Sequence, residues 1–445
     1  MLWHRIWFEK SCHLSALLEA FLGLIPARLP ATDSLPSSHA FTRRRKLPLP
    51  TLFVVLLSLT ASGKHQGVDG KVGALFQQAR RSGLWPDAHA VHRSAVTKAR
   101  AQVPWTAFEQ VHQEAVKLAY EVWPTCEADT WQGLSVFAID GSKYQLPAAD
   151  VVRTAFDPTS GLTQPGKGHY PQCLVSTAYD VFRRLPIART VQPMAEANER
   201  EEVKALLPHI PSGGVLLFDR GYPSYDLLNH LQRQYQGFWV LRCPASSTFP
   251  AVESFIHSGQ AEATLTLSAP KAPPIQLRAI RLVSPAGDCS VLLTNLQDDG
   301  RVPAQAIIDL YWRRWAVEVH YRDEKTSLDI ETFHSQTENG IRQELFAILI
   351  MAVIARTVMV LMTDPEHPSG AHPQFKHTML TLAKDAALLT PTCPKVALGI
   401  FQELLHEIAR VRYYPPKVPR RSVPRVSKQP MNKWRLEKTH RMGKT

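Results

Sequence analysis

At Leu134 the chain changes texture, and no other feature constrains its fold as much. Five short runs follow: LSVFAID, QCLVSTAYDV, RLPIARTVQP, GVLLFD and GFWVLRC. Each is rich in β-branched or aromatic residues and bounded by Gly, Pro or Asp, which reads as a strand. Helical patterns at residues 198–207 and 224–234 part the third run from the fourth and the fourth from the fifth. Three strands in succession, then helix, strand, helix and strand, predict a mixed α/β sheet. Ser224 is placed to N-cap its helix.

Three more strand-like runs, residues 261–267, 275–283 and 290–296, are separated by Pro-rich turns and read as a β-rich insertion. From Pro303 helical spacing returns, first through residue 328 and then over 341–362. Residues 364–375 read as a Pro- and His-rich loop, and 384–409 as helix again. Upstream of the first strand, apolar residues recur at helical spacing in 14–24, 52–59, 72–79 and 108–122. The expected organisation is a helical N-terminal region (1–130), the first part of the α/β core (131–243), the insertion (244–302), the completion of the core (303–365), a C-terminal helical region (366–410) and a basic tail (411–445).

Charge narrows the class of partner. The chain of 445 residues has a formal net charge of +12, which favours polyanions, nucleic acid or an anionic membrane surface. Much of it sits in the tail from Val411, which has eleven basic residues, Arg420 and Arg421 among them, against one acid, Glu437. That Pro-punctuated segment reads as a nucleic-acid-binding arm. A second cluster, Arg43, Arg44, Arg45 and Lys46, precedes an apolar helix, where contact with DNA and a solvated helix start fit equally well. That apolar helix, Leu49–Ala61, is too short to span a bilayer and contains Pro50, so no membrane association is expected. The six cysteines are scattered without a Cys-x-x-Cys pair, which suggests free thiols in a reducing cytoplasm.

Three acids carry the chemistry. Asp140 ends the run LSVFAID and is followed by Gly, and Asp219 repeats the arrangement in GVLLFDRGYPS. A carboxylate at the end of a buried strand faces the sheet edge where ligands bind. Asp-Gly is also a common turn dipeptide, so either acid alone has a purely structural reading. Arg220 is suited either to neutralise a phosphate or to pair with Asp219. In the run DLYWRRWAVEVHYRDEKTSL, Tyr311, Arg314, Glu318 and Lys325 fall within roughly a 60° arc of a helix at ~100° per residue. An acid flanked by two cations on an apolar helix suits a metal-bound phosphodiester. A solvated face laced by an Arg314–Glu318 pair fits the same spacing. Trp312, Trp315, Val317 and Val319 around the stripe predict a largely enclosed helix. Two Asp and one Glu from different elements can hold two Mg²⁺ ions about 4 Å apart, and hard ions of this kind take oxygen ligands.

The set resembles the DDE transposases of the insertion sequence 4 group. Their signature, Tyr-x2-Arg-x3-Glu-x6-Lys, is met at every spacing by YWRRWAVEVHYRDEK. AIDGSKYQLP is similar to the family's first-aspartate block and LLFDRGYPSYDLL to its second. The resemblance covers about residues 40–430. It implies a ribonuclease H-like catalytic core interrupted by a β-rich insertion. It implies Asp140, Asp219 and Glu318 as catalytic residues and ligands of two Mg²⁺ ions, with Mn²⁺ able to substitute. Arg314 and Lys325 are then expected on transposon-end phosphates, with Tyr311 beside them. Arg220, Arg43, Arg44, Arg45, Arg420 and Arg421 complete the expected DNA contacts.

The implied function is cut-and-paste transposition by a cytoplasmic, nucleoid-associated enzyme. It would act as a homodimer that pairs two terminal inverted repeats and joins them to target DNA. Some relatives stack a flipped base on a tryptophan in the insertion, but no Trp lies between Cys243 and Gly300. Phe249 and Phe255 are the aromatics there, and both also read as core. Two alternatives share these residues: a two-metal nuclease that cuts without joining, and a non-catalytic DNA-binding protein derived from a transposase.

Overall fold

The computed structural model describes residues 18–25, 41, 46–61, 67–123, 126–160, 169–244, 249–269, 273–283, 287–297, 302–363 and 370–415. Four N-terminal helices come first: α1 (Leu49–Ala61), α2 (Val68–Arg81), α3 (Arg93–Arg100) and α4 (Thr106–Val122). The sheet follows. Strand β1 (Val136–Gln145), helix α5 (Asp150–Phe156) and strands β2 (Gln172–Asp180) and β3 (Leu185–Pro193) lead to α6 (Glu199–Leu206). Then come β4 (Val215–Phe218), α7 (Tyr225–Gln234) and β5 (Phe238–Pro244). The helix caps are those the sequence suggests. The Asn198 side chain accepts from Arg200 N at the start of α6, and that of Ser224 from Leu227 N at the start of α7.

All the long strands lie in one eight-stranded sheet, in the order β3-β2-β1-β4-β5-β8-β7-β6. Strands β1, β2 and β3 form an antiparallel meander, while β4 and β5 run parallel to β1. Residues 244–302 contribute α8 (Pro250–Ser258), β6 (Glu262–Leu267), β7 (Ile275–Val283) and β8 (Cys289–Thr294). They extend the same sheet, because β8 pairs antiparallel with β5. Phe249 and Phe255 are buried core residues of this part.

Helices α9 (Ala304–Trp312) and α10 (Trp315–Arg322) follow, then α11 (Glu338–Leu361), α12 (Phe375–Lys384) and α13 (Ala397–Arg410). Where the spacing suggests one helix over 384–409, two helices are separated by short 3₁₀ turns. Helix α11 is the axis of the core and packs on α1, α4, α12 and β3. It is long and apolar enough to cross a membrane, but 89% of its apolar window is buried inside the protein. Leu49–Ala61 is also buried, with Phe53 stacked on Phe108 of α4 at 4.1 Å. An all-round apolar helix of this kind is a core helix when protein surrounds it.

A buried cation ties the N-terminal helices to this axis. Arg100, at the end of α3, donates to Glu344 Oε1 (2.8 Å), Gln343 Oε1 (3.0 Å) and Gly340 O (2.8 Å). Glu344 also accepts from the backbone N–H of His334 at 2.9 Å. A buried charge is tolerated only when paired and hydrogen-bonded in this way.

Candidate active site

Asp140 does not end its strand. It lies in the middle of β1, paired with Thr177 of β2, and the strand runs on to Gln145. On the other side, the parallel pairing with β4 stops at Ala138 with Leu217. Continuing that register by two residues brings Asp219 beside Asp140, where β4 has ended and its chain turns away. The crevice therefore opens between β1 and β4 while β1 stays braced by β2. Asp219 Oδ1 accepts from Gly221 N at 2.7 Å, closing the tight turn that presents its other oxygen.

The third acid arrives from the helical segment after the sheet. The expected continuous helix is broken twice. Arg313 and Arg314 form a turn between α9 and α10, and residues Asp323–Ser327 form a π-helix. The expectation of an enclosed helix also fails for most of its apolar residues. Val317 is buried, but Trp312, Trp315 and Val319 are exposed. The buried face instead carries Tyr311, Arg314 and His320, with Glu324 in the π-helix beyond. That face packs on the sheet, and Tyr321 donates from its hydroxyl to Asp140 O at 2.6 Å.

Arg314 stands between two of the acids. Its Nη2 donates to Glu318 Oε1 at 2.6 Å, and its Nη1 lies 4.0 Å from Asp140 Oδ2. Both Nη1 and Nε are buried without a hydrogen-bond acceptor among the described residues. Buried guanidinium N–H groups left open cost stability unless a ligand meets them. Tyr311 lies under Arg314, with the guanidinium 6.0 Å from its ring centre.

The π-helix has a visible cause. Glu324 is buried and accepts from Arg189 Nη2 at 2.9 Å and from the Tyr144 hydroxyl, with His320 Nε2 3.3 Å away. Burial alone would raise this carboxyl; Arg189 and His320 outweigh it and hold it at about 2. The extra residue of the π turn lets Glu324 face inward while Lys325 turns to β1. Lys325 Nζ donates to Ser142 Oγ (2.7 Å) and Lys143 O (2.6 Å) and lies 4.3 Å from the Tyr144 ring centre. Extra helical residues of this type often mark functional sites.

The electrostatics of the cluster favour a cation. Burial lifts the Asp140 carboxyl to about 7; Arg314 pulls it down, while Asp219, Glu318 and Glu199 push it up. The residues that push it up are carboxylates, the donors that hard divalent ions take. Among the described residues, no three His, Cys, Asp or Glu side chains converge tightly enough to close round an ion. Arg314 holds Glu318 in that arrangement.

Asp140, Asp219, Glu318, Arg314 and Tyr311 are therefore brought together, and Lys325 lies along the same strand. Arg220 is exposed on the Asp219 turn. Arg43, Arg44, Arg45, Arg420 and Arg421 lie outside the described residues. Sequence reasoning missed Glu199, Tyr222 and Tyr321. A signal for Glu199 existed: an acid directly after an Asn cap, on the helix that leads into the second aspartate strand.

Comparison with known proteins places these elements in context. The family model described as the transposase DDE domain matches residues 131–354. The chain is 24% identical over 408 residues to the transposase InsG for insertion sequence element IS4 of Escherichia coli, covering 87% of this chain and 86% of that one. It is 30% identical over 157 residues to the putative transposase y4zB of Sinorhizobium fredii, covering 33% of this chain and 43% of the other. Among solved structures, a piggyBac transposase synaptic complex with hairpin DNA is similar, with a TM-score of 0.43 at 14% identity over 92% of this chain and 84% of that one.

Proposed function

The chain belongs to the DDE transposase family, and on that premise we propose that Asp140, Asp219 and Glu318 are its metal-binding catalytic carboxylates in cut-and-paste transposition. The observation that carries this reading is the β1–β4 register, which sets Asp219 beside Asp140 with Arg314 linking Asp140 to Glu318. The strand order 3-2-1-4-5, with two parallel strands after an antiparallel meander, supports a ribonuclease H-like core over 131–243 completed by 303–365. Residues 244–302 are then the insertion.

Two divalent ions, Mg²⁺ or Mn²⁺, would activate the attacking oxygen and stabilise the leaving one. The chain's own groups do the rest. Asp140 and Asp219 present oxygens from adjacent strands of a rigid sheet, which keeps the donor geometry fixed. Arg314 offers its open N–H groups to a phosphate oxygen, and Tyr311 supports the guanidinium from below. Lys325 and the exposed Arg220 flank the crevice as further phosphate contacts. The attacking oxygen is a water in the cutting step and a DNA 3′-hydroxyl in the joining step. No protein side chain becomes covalently attached.

Recognition of the transposon ends is assigned to the N-terminal region, 1–130, with Arg43, Arg44 and Arg45 on the DNA. The basic tail with Arg420 and Arg421 adds affinity that is independent of sequence and sensitive to salt. A homodimer would pair the two ends.

The test is cleavage and joining of a labelled duplex taken from the DNA flanking the gene, with Mg²⁺ or Mn²⁺. Wild type is expected to cut and join; Glu318→Gln is expected to bind the duplex and do neither. Equal behaviour of the two proteins removes Glu318 from the chemistry. Cutting by wild type without joining to a 3′-hydroxyl donor identifies a nuclease instead.

A further inference from the structure

Glu199 opens α6, one residue after its Asn198 cap, and its carboxylate lies over both acid-bearing segments. A Cβ on Gly141 would stand 2.6 Å from Glu199 Oε1 and 2.9 Å from its Cδ. A Cβ on Gly221 would stand 3.6 Å from Glu199 Oε2 and 3.1 Å from Asp219 Oδ1. One oxygen therefore rests against the residue after Asp140, and the other against the turn that presents Asp219. Neither glycine has a positive φ, so backbone freedom does not explain them. The Glu199 carboxylate does: a side chain at Gly141 would displace it.

Two further observations point to a ligand among these acids. The Tyr222 hydroxyl is fully buried and has no hydrogen-bond partner among the described residues. Burial first, then the nearby Asp140 and Glu199, make it hold its proton. Arg314 Nη1 is buried and unpartnered, 4.0 Å from Asp140 Oδ2. Arg200 fixes the arrangement from the same helix start, its Nε donating to Gly221 O at 3.2 Å. Glu318 is tied to Arg314, whereas no hydrogen bond or ion pair holds the Glu199 carboxylate among the described residues. A half-buried carboxylate beside like charges is costly to keep without a compensating cation.

We propose that Glu199 is a fourth carboxylate of the divalent-cation site, sharing with Asp140 and Asp219 the ion held between β1 and β4. This rests on the assignment of Asp140 and Asp219 as metal ligands. It gives α6 a second task besides covering the sheet: its first residue completes the oxygen donor set from the side that the Glu318 helix does not reach.

The test is Mn²⁺ binding to the DNA-free, chelator-stripped full chain, measured by calorimetry and by the electron paramagnetic resonance signal of free Mn²⁺. Glu199→Gln is expected to weaken Mn²⁺ binding about tenfold, the size of loss typical when a supporting group of a metal site is removed. Its cleavage activity should recover as Mn²⁺ is raised. Asp219→Asn is measured in parallel. If Asp219→Asn weakens binding and Glu199→Gln matches wild type, the fourth carboxylate is overturned and the triad stands. If neither variant weakens binding, the triad assignment falls as well. A purely structural role at the helix start would lower Tm and leave Mn²⁺ affinity unchanged, which also overturns the proposal. Should Glu199→Gln fail to fold, Glu199→Asp decides: it keeps the charge but shortens the reach, so weaker binding supports the proposal and wild-type binding overturns it.

Discussion

Arg314 donates to Glu318 across 2.6 Å, one helical turn away, with its other terminal nitrogen facing Asp140 at 4.0 Å. One guanidinium thus stands between two acids that like charge would otherwise drive apart. The bond is the i, i+4 pair that a solvated helix face would also show. Here, however, the Arg314 side chain is only 9% exposed, and its remaining N–H groups lack acceptors among the described residues.

From this follows a prediction that separates phosphate binding from metal binding. Arg314→Ala should lower cleavage by about 10²- to 10³-fold, as loss of one preorganised donor at developing charge does. Mn²⁺ binding to the DNA-free protein should not weaken, because the acids lose a competing cation. Arg314→Lys should not restore activity, since one ammonium cannot serve Glu318 and a phosphate oxygen in the same fork. If Arg314→Ala weakens Mn²⁺ binding as much as Glu318→Gln does, the guanidinium serves only to place Glu318.

Acid sensitivity should come from two buried pairs. Burial would raise Glu344, but Arg100 and His334 hold it at about 2, as Arg189 and His320 do for Glu324. Both folded values lie below the ordinary 4.5. The stability they contribute is therefore complete above that value and is lost as pH falls from about 4.5 toward 2. Thermal unfolding between pH 7 and pH 3 should show Tm falling across that window. Glu344→Gln should flatten part of the fall and cost about 3–5 kcal/mol at neutral pH, since it leaves Arg100 buried without its partner charge. An unchanged pH profile in the variant would mean that Glu344 is not held in its charged form.

Gly340 tests packing against propensity. Alanine in a helix is favoured over glycine by about 1 kcal/mol. A Cβ at Gly340, however, would overlap the Ser335 hydroxyl and stand 2.5 Å from the Ser335 Cβ. Overpacking of this kind costs about 1–3 kcal/mol, so Gly340→Ala should lower Tm. Adding Ser335→Gly should recover most of the loss, a coupling that a double-mutant cycle measures. A gain in Tm from Gly340→Ala alone would show that Ser335 moves freely aside.

The tail makes a prediction about salt. Residues 416–445 hold ten basic residues against Glu437. Removing them should weaken binding to DNA of any sequence. It should also reduce the slope of log K against log salt, by about 0.9 for each duplex phosphate that the tail neutralises. Preference for the transposon end over random duplex should change little, because binding to phosphates carries no base information. An unaltered salt slope would remove the tail from the DNA interface.

The sequence by itself determined the local grammar of this protein. The apolar runs after Leu134 became strands because alternation and β-branching suit a buried sheet. Asn198 and Ser224 became caps because their side chains satisfy open N–H groups at once. The acids Asp140, Asp219 and Glu318 could be singled out, since each is a charge beside an apolar run and their spacing matched a known pattern.

What only the tertiary structure decided depends on partners far apart in the chain. Asp140 turned out to lie within a strand because its continuation is paired with β2, more than thirty residues on. The helix that bears Glu318 changes to a π turn because Glu324 is drawn inward by Arg189, 135 residues earlier. Trp312 and Trp315 stay exposed because the polar face, with Arg314 and His320, is the one packed on the sheet. Glu199 reached the aspartates only once β1, β4 and α6 were assembled. Helical and strand periodicity report neighbours a few residues apart. Buried charges are positioned by whatever compensates them, and that compensation is set across the fold.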